Sequence, residues 1–134
     1  MSDEREIENL VGKYFHYLDD RTPEPWAEML SDDITIIVYD WELRGREECK
    51  TKIFGGQVQG QHGKHIATNT VIKVDGDKAE VVTDYFYIAA MGPEKHIRFE
   101  ILDFGRYFDT MVKVDGRWLF KEVKIDVELF PLNR

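Results

Sequence analysis

The chain has 134 residues, and 18 Lys+Arg against 26 Asp+Glu give a formal net charge of −8. That length matches one domain of about 100–200 residues and is enough to bury a core without disulfide or metal staples. The negative balance argues against a nucleic-acid footprint, which needs clustered Lys and Arg, and against an anionic membrane surface.

No uninterrupted apolar run approaches the ~20 residues of a membrane-spanning helix. The acidic start MSDEREIENL has no apolar leader segment. A single cysteine, Cys49, precludes an internal disulfide and any CxxC motif. A soluble, cytoplasmic, single domain over residues 1–134 is therefore expected. Aromatic residues make up 13% of the chain, enough to fill a core or to line a pocket for a ring-shaped ligand.

In chain order, residues 3–19 predict an amphipathic helix. Ile7, Leu10, Val11, Tyr14, Phe15 and Leu18 share one stripe, and Asp3 with Glu6 resembles a capping box. Thr22 and Pro23 open a short helix over Glu24–Leu30. Ser31-Asp32-Asp33 is turn chemistry before a strand over Ile34–Asp40, and Trp41–Leu43 continues that strand or pairs with it. A charged helix follows over Arg46–Phe54. The glycine-rich stretch from Gly55 to Gly63 reads as a mobile loop.

Strands are then expected over His65–Val74 and Lys78–Ala90, joined by Asp75-Gly76-Asp77. Two more cover His96–Val114, with a bend at Gly105, and Arg117–Leu129. Helices first and a long meander after make an α+β fold, with the helices packed on one face of a curved antiparallel sheet.

Asp19 and Asp20 end the first helix, where a carboxylate meets the negative pole of the helix dipole. Asp19 lies at the edge of the apolar stripe. It is either a turn residue or an acid facing a cavity, whereas Asp20 points away. Of the four histidines, His16 lies off the stripe and His62 sits in the glycine loop. His65 opens a strand, on the same face as Ala67, Asn69 and Val71 if alternation holds. Its imidazole is the natural proton carrier near neutral pH.

No HxH or HExxH spacing suggests a metal, and no GxSxG, GxGxxG or Walker pattern suggests a Ser nucleophile or a nucleotide. Cys49 has no local activating partner. Asp103, Gly105, Tyr107 and Asp109 alternate to one face, with Phe99 and Ile101 upstream, forming either a pocket wall or a solvated face. Tyr39, Tyr85 and Tyr87 are further hydroxyl donors.

Four strings in order carry a resemblance. They are Gly12-Lys13-Tyr14-Phe15 through Leu18-Asp19, Trp26 through Leu30-Ser31-Asp32-Asp33, His65-Ile66-Ala67-Thr68-Asn69, and Gly105-Arg106-Tyr107-Phe108-Asp109 through Asp115-Gly116-Arg117-Trp118. The chain resembles the SnoaL-like, dehydratase-like branch of the nuclear transport factor 2-like superfamily. Scytalone dehydratase, hexachlorocyclohexane dehydrochlorinase and bile-acid 7α-dehydratase belong to that branch.

The resemblance implies a cone-shaped α+β barrel around an apolar pocket and a homodimer or homotrimer formed through the outer sheet face. It implies a His–Asp dyad on His65 and Asp19, with Tyr14 as a functional hydroxyl. Tyr39, Asn69, Tyr85, Tyr87, His96, Asp103 and Tyr107 are expected to contact substrate. No metal or cofactor is expected. The implied activity is that of a lyase or isomerase, foremost a dehydratase, on a small cyclic or polycyclic apolar substrate. The alternative is a noncatalytic ligand-binding or oligomerisation module of the same fold. The sequence departs from the bile-acid dehydratase pattern at Asp84, which is displaced, and from the ketosteroid isomerase pattern at Asp40, which is offset. The apolar tail Leu129-Phe130-Pro131-Leu132 is expected to cover the pocket or a neighbouring subunit.

Overall fold

The computed structural model describes residues 1–128, so the expectation for the apolar tail lies outside the described residues. The elements are α1 (Asp3–Asp19), α2 (Pro23–Glu28), β1 (Leu30–Val38), β2 (Trp41–Arg44), α3 (Arg46–Gly55), β3 (His62–Asp75), β4 (Lys78–Met91), β5 (Arg98–Val114) and β6 (Arg117–Val127). The fold is α+β, with three helices against one six-stranded sheet of order β2-β1-β6-β5-β4-β3. The sheet curves without closing, with β2 and β3 at its edges.

Two features of the sheet escape local patterning. The β3-β4-β5-β6 meander is antiparallel as expected, but β1 pairs with β6 in parallel. A parallel partner comes from the far end of the chain, and no turn residue announces it. That pairing also recruits Leu30, opposite Phe120, into β1. The short helix therefore ends at Glu28, and Ser31-Asp32-Asp33 is strand rather than turn.

The stripe on α1 buries Ile7, Val11, Tyr14, Phe15 and Leu18 against the sheet. Ser2 caps the helix by accepting the Arg5 N–H at 3.1 Å. The same end is clamped to the β5–β6 hairpin. Asp3 accepts from Trp118 Nε1 at 3.0 Å and from Lys113 Nζ at 3.1 Å, and Glu6 accepts the Trp118 backbone N–H at 3.1 Å. Fixing this end sets where the other end of the helix, Asp19, arrives. Among the described residues no helix is long and apolar enough to cross a membrane.

A tight aromatic cluster forms much of the core: Tyr14, Phe15, Trp26, Tyr85, Tyr107, Trp118 and Phe120 are buried. Tyr14 packs at ring-centroid distances of 5.2–5.9 Å on Phe15, Trp26, Tyr107 and Phe120. Tyr85 stands edge-on to Tyr107 at 5.1 Å. Such edge-to-face contacts add about 0.5–1.5 kcal/mol each beyond area burial, so the cone expected to be hollow is filled in its depth.

Candidate active site

The last residue of α1 and an inward residue of β3 meet. His65 Nδ1 lies 2.6 Å from Asp19 Oδ1, and the His65 backbone N–H donates to Asp19 Oδ2 at 2.9 Å. Both carboxylate oxygens are thereby engaged by one residue, which fixes Asp19 in place and orients the ring. With Asp19 accepting at Nδ1, the hydrogen sits there and Nε2 is left with its lone pair. The Asp19 side chain is 7% exposed and that of His65 21%, so the pair is sheltered yet reachable.

The imidazole is held between aromatic rings. Phe15 stacks on one side at 5.4 Å, with Tyr87 at 4.6 Å and Tyr85 at 6.0 Å around the rest. Room for Tyr87 depends on Gly63, where a Cβ would sit 2.5 Å from the Tyr87 ring and hydroxyl and 2.7 Å from the Ile88 carbonyl oxygen.

The pair opens on a cavity of about 190 Å³. Leu18, Asp19, Arg21, His65, Tyr87 and Asp103 line its floor and walls, and Gln57, Val58 and Gln61 come from the glycine-rich loop. Contrary to the expected apolar pocket, most of these side chains are polar. The loop between α3 and β3 is tied down. Arg21 Nη2 donates to the Val58 and Gln61 carbonyls at 2.7 and 2.9 Å, and Gln57 Nε2 donates to the Leu18 carbonyl at 2.9 Å. Tyr87 donates to Gln61 Oε1 at 3.4 Å.

The other candidates divide. Tyr87 and Asp103 line the cavity. Tyr85 supports His65 from the core, and burial and then Asp103, which its hydroxyl faces, push its phenol well above the ordinary value. Tyr107 is core, and burial foremost raises it likewise. Tyr39 is 60% exposed at the β1–β2 turn. His96 is exposed in a 3-10 turn, not in a strand.

Asn69 faces outward, because it adopts a left-handed φ of 53° where the β3–β4 register slips, so Thr70 rather than Asn69 follows His65 and Ala67 inward. It donates instead to Asp84 at 3.1 Å, and Asp84 pairs with Arg106 at 2.6 Å on the outer face. A second slip between Tyr87 and Ile88 turns Phe99 and Ile101 outward as well.

Tyr14 is not among the residues lining the cavity, and Phe15 stands between it and His65. Five residues before Asp19, it lies about 7.5 Å deeper along the helix axis. Its hydroxyl, Trp26 Nε1 and Asp109 Oδ1 are buried without hydrogen-bond partners. Burial, then the nearby Asp109, push Tyr14 well above its usual range.

Asp109 itself is raised by burial well above the usual 3.8. A carboxyl kept protonated in the fold but ionised in the unfolded chain lowers stability as pH climbs from the unfolded value toward the folded one. The slope is up to about 1.4 kcal/mol per pH unit. Asp109→Asn is therefore expected to melt several degrees above the wild type at neutral pH and to lose that advantage at mildly acidic pH, as differential scanning calorimetry across pH would register.

The residues that patterning did not single out are Arg21, Gln57 and Gln61. The glycine density of the loop is the one local signal that pointed toward them. Cys49 is buried, with its thiol pushed up to about 11 mainly by that burial, and offers no nucleophile. Among the described residues no group of three His, Cys, Asp or Glu side chains is arranged to hold a metal ion.

The SnoaL-like domain family model matches residues 1–124, and the chain belongs to that family. Its architecture is shared with solved structures of the nuclear transport factor 2-like, cystatin-like fold. A candidate scytalone dehydratase from Novosphingobium aromaticivorans is 27% identical and superposes with a TM-score of 0.76, over 95% of this chain and 85% of that one. A second protein from that organism, NTF2-like with a cystatin-like fold, is 18% identical (TM-score 0.80, 92% and 80% covered). A candidate dehydratase of the NTF2-like family from Streptomyces avermitilis is 11% identical (TM-score 0.79, 96% and 98% covered). Among curated proteins no relative is found.

Proposed function

We propose that the protein is a lyase or isomerase working by proton transfer, foremost a dehydratase, with His65 as base and Asp19 as the group that orients it. The observation that carries this reading is the 2.6 Å contact between Asp19 and His65 Nδ1 at the edge of a cavity, which leaves Nε2 free to accept a proton. Nε2 takes a proton from a carbon beside a carbonyl. The C–H electron pair becomes the new C=C bond as the β-hydroxyl leaves, and the imidazolium returns the proton to it as water. If the proton is returned to another carbon instead, the outcome is isomerisation.

Stabilising the enolate oxygen falls to Tyr87 rather than Tyr14, because Tyr87 lines the cavity and has its ring 4.6 Å from His65; its one O–H would exchange the long 3.4 Å bond to Gln61 Oε1 for the substrate oxygen. The likeness to a candidate scytalone dehydratase at 27% identity supports the dehydratase reading.

The test uses simple cyclic ketones. In D2O the protein should catalyse exchange of their α-protons, followed by NMR, and should convert 3-hydroxycyclohexanone to the enone with loss of water. Binding without exchange or elimination would identify a noncatalytic binding module instead. A homodimer or homotrimer through the outer sheet face is part of the same reading. Phe99, Ile101, Phe104 and Phe108 of β5 are exposed, and apolar surface of this kind favours association. Phe104→Glu is expected to shift the protein to monomer in sedimentation velocity, while Phe104→Leu leaves assembly intact.

A further inference from the structure

The cavity contains a carboxylate that the proton-transfer reading leaves idle. On the inner face of the sheet, His65 is the cross-strand partner of Tyr87, and Tyr87 is the partner of Asp103. The three make one row, with the His65 and Asp103 backbones about 10 Å apart at the usual strand spacing of about 4.8 Å. All three line the cavity.

Asp103 is half-buried, and the Tyr85 hydroxyl faces its carboxylate. A carboxylate offers about four acceptor positions, so one phenol leaves it able to take another donor. Among the described residues the arginine lining the cavity, Arg21, directs Nη2 to the Val58 and Gln61 carbonyls and forms no ion pair with Asp103, so its charge is shared by the cavity rather than paired off against that carboxylate.

The cavity is also small. About 190 Å³ compares with the roughly 150 Å³ that encloses benzene. That is room for one six-membered ring with short substituents, since Tyr14, Tyr107 and Trp26 fill the space behind.

We propose that Asp103 is the specificity residue of this site, selecting a single-ring neutral ketone that carries a hydroxyl group opposite its carbonyl carbon, and rejecting carboxylated rings. The inference rests on the proton-transfer reading for which carbon faces His65. The hydroxyl held by Asp103 is one that stays on the ring, because an anionic acceptor would oppose its departure. The cavity volume favours one ring over fused polycycles, and the two carboxylates Asp19 and Asp103 against the single Arg21 disfavour an anionic substituent.

Three probes of similar shape separate the terms: 4-hydroxycyclohexanone, 4-methylcyclohexanone and 4-oxocyclohexanecarboxylate. Their affinities are measured by NMR titration on the wild type and on Asp103→Asn, with melting curves to show that the variant is folded. The wild type is expected to bind the hydroxyketone about tenfold tighter than the methyl analogue, as a hydrogen bond to a charged acceptor allows, and to bind the carboxylate weakest. In Asp103→Asn the hydroxyl preference should shrink severalfold and the carboxylate should gain affinity. Asp103→Ala provides the same comparison if the asparagine variant does not fold.

An unchanged ranking in the folded variant overturns the proposal, as does failure of every probe to bind the wild type at millimolar concentration. Exchange of α-protons is read in the same samples. Exchange that depends on His65 with no effect of Asp103 on ranking sinks only the specificity role. An Asp103-dependent ranking without exchange sinks only the proton-transfer reading.

Discussion

His65→Ala is expected to slow α-proton exchange about 10²–10⁴-fold, the usual contribution of a positioned general base. Added imidazole should restore part of the rate, because the cavity would then admit the missing ring. Asp19→Asn should cause a loss of comparable size for a different reason. The carboxylate accepts from both Nδ1 and the His65 backbone N–H. An amide can accept at one oxygen only, and presents a donor where the second acceptor stood. The ring then loses its fixed tautomer and orientation, so imidazole is not expected to rescue this variant. Melting curves close to wild type in both variants would separate lost chemistry from lost structure. Near-wild-type exchange in His65→Ala would refute the assignment outright.

The largest loss of stability is expected at Gly105, where the β6 backbone leaves no room for a side chain. A Cβ there would collide with the Asp126 carbonyl oxygen and lie 3.1 Å from Val127 Cα. These are backbone atoms held in the β5–β6 ladder, with Gly105 opposite Val127, so the strain cannot be relieved by a rotamer change. Gly105→Ala should cost about 3 kcal/mol or more, at the severe end for overpacking, and urea denaturation would measure it. A midpoint within error of the wild type would mean that the two strands can separate without penalty. Because Asp103 and Tyr107 flank this glycine on the same inward face, such separation would also move the cavity wall.

The helix periodicity, the hairpin turns and the alternation of β5 are local properties; they lead directly to α1 and to the β3-β4-β5-β6 meander, and they put Asp103, Gly105, Tyr107 and Asp109 on one face without deciding whether it points inward. Asp19 and His65 stood out by residue type and position, although their 46-residue separation carries no information about contact. The misplacements have a common cause. Asn69, Phe99 and Ile101 were assigned faces by strict alternation, and a slip of register reverses every residue beyond it. Tyr14 shares the apolar stripe with Leu18, and the stripe alone does not tell a core position from a cavity wall.

By itself, then, the sequence determined the α+β class, the order of elements, the acid at the end of the first helix and a histidine near the start of a long strand, which begins at His62 rather than at His65. Those follow from side-chain chemistry and from periods of two and 3.6 residues. Only the tertiary structure decided that β1 joins β6 in parallel, that Asp19 reaches His65, and that Arg21 and Gln57 hold the glycine-rich loop over the pair. It also decided that seven of the aromatic side chains pack into the core, leaving a small polar cavity. Each of these depends on contacts between residues far apart in the chain and on how much volume the packed side chains leave empty. The acidic balance of the chain acquires a local counterpart there, in two carboxylates, Asp19 and Asp103, lining the same cavity as His65.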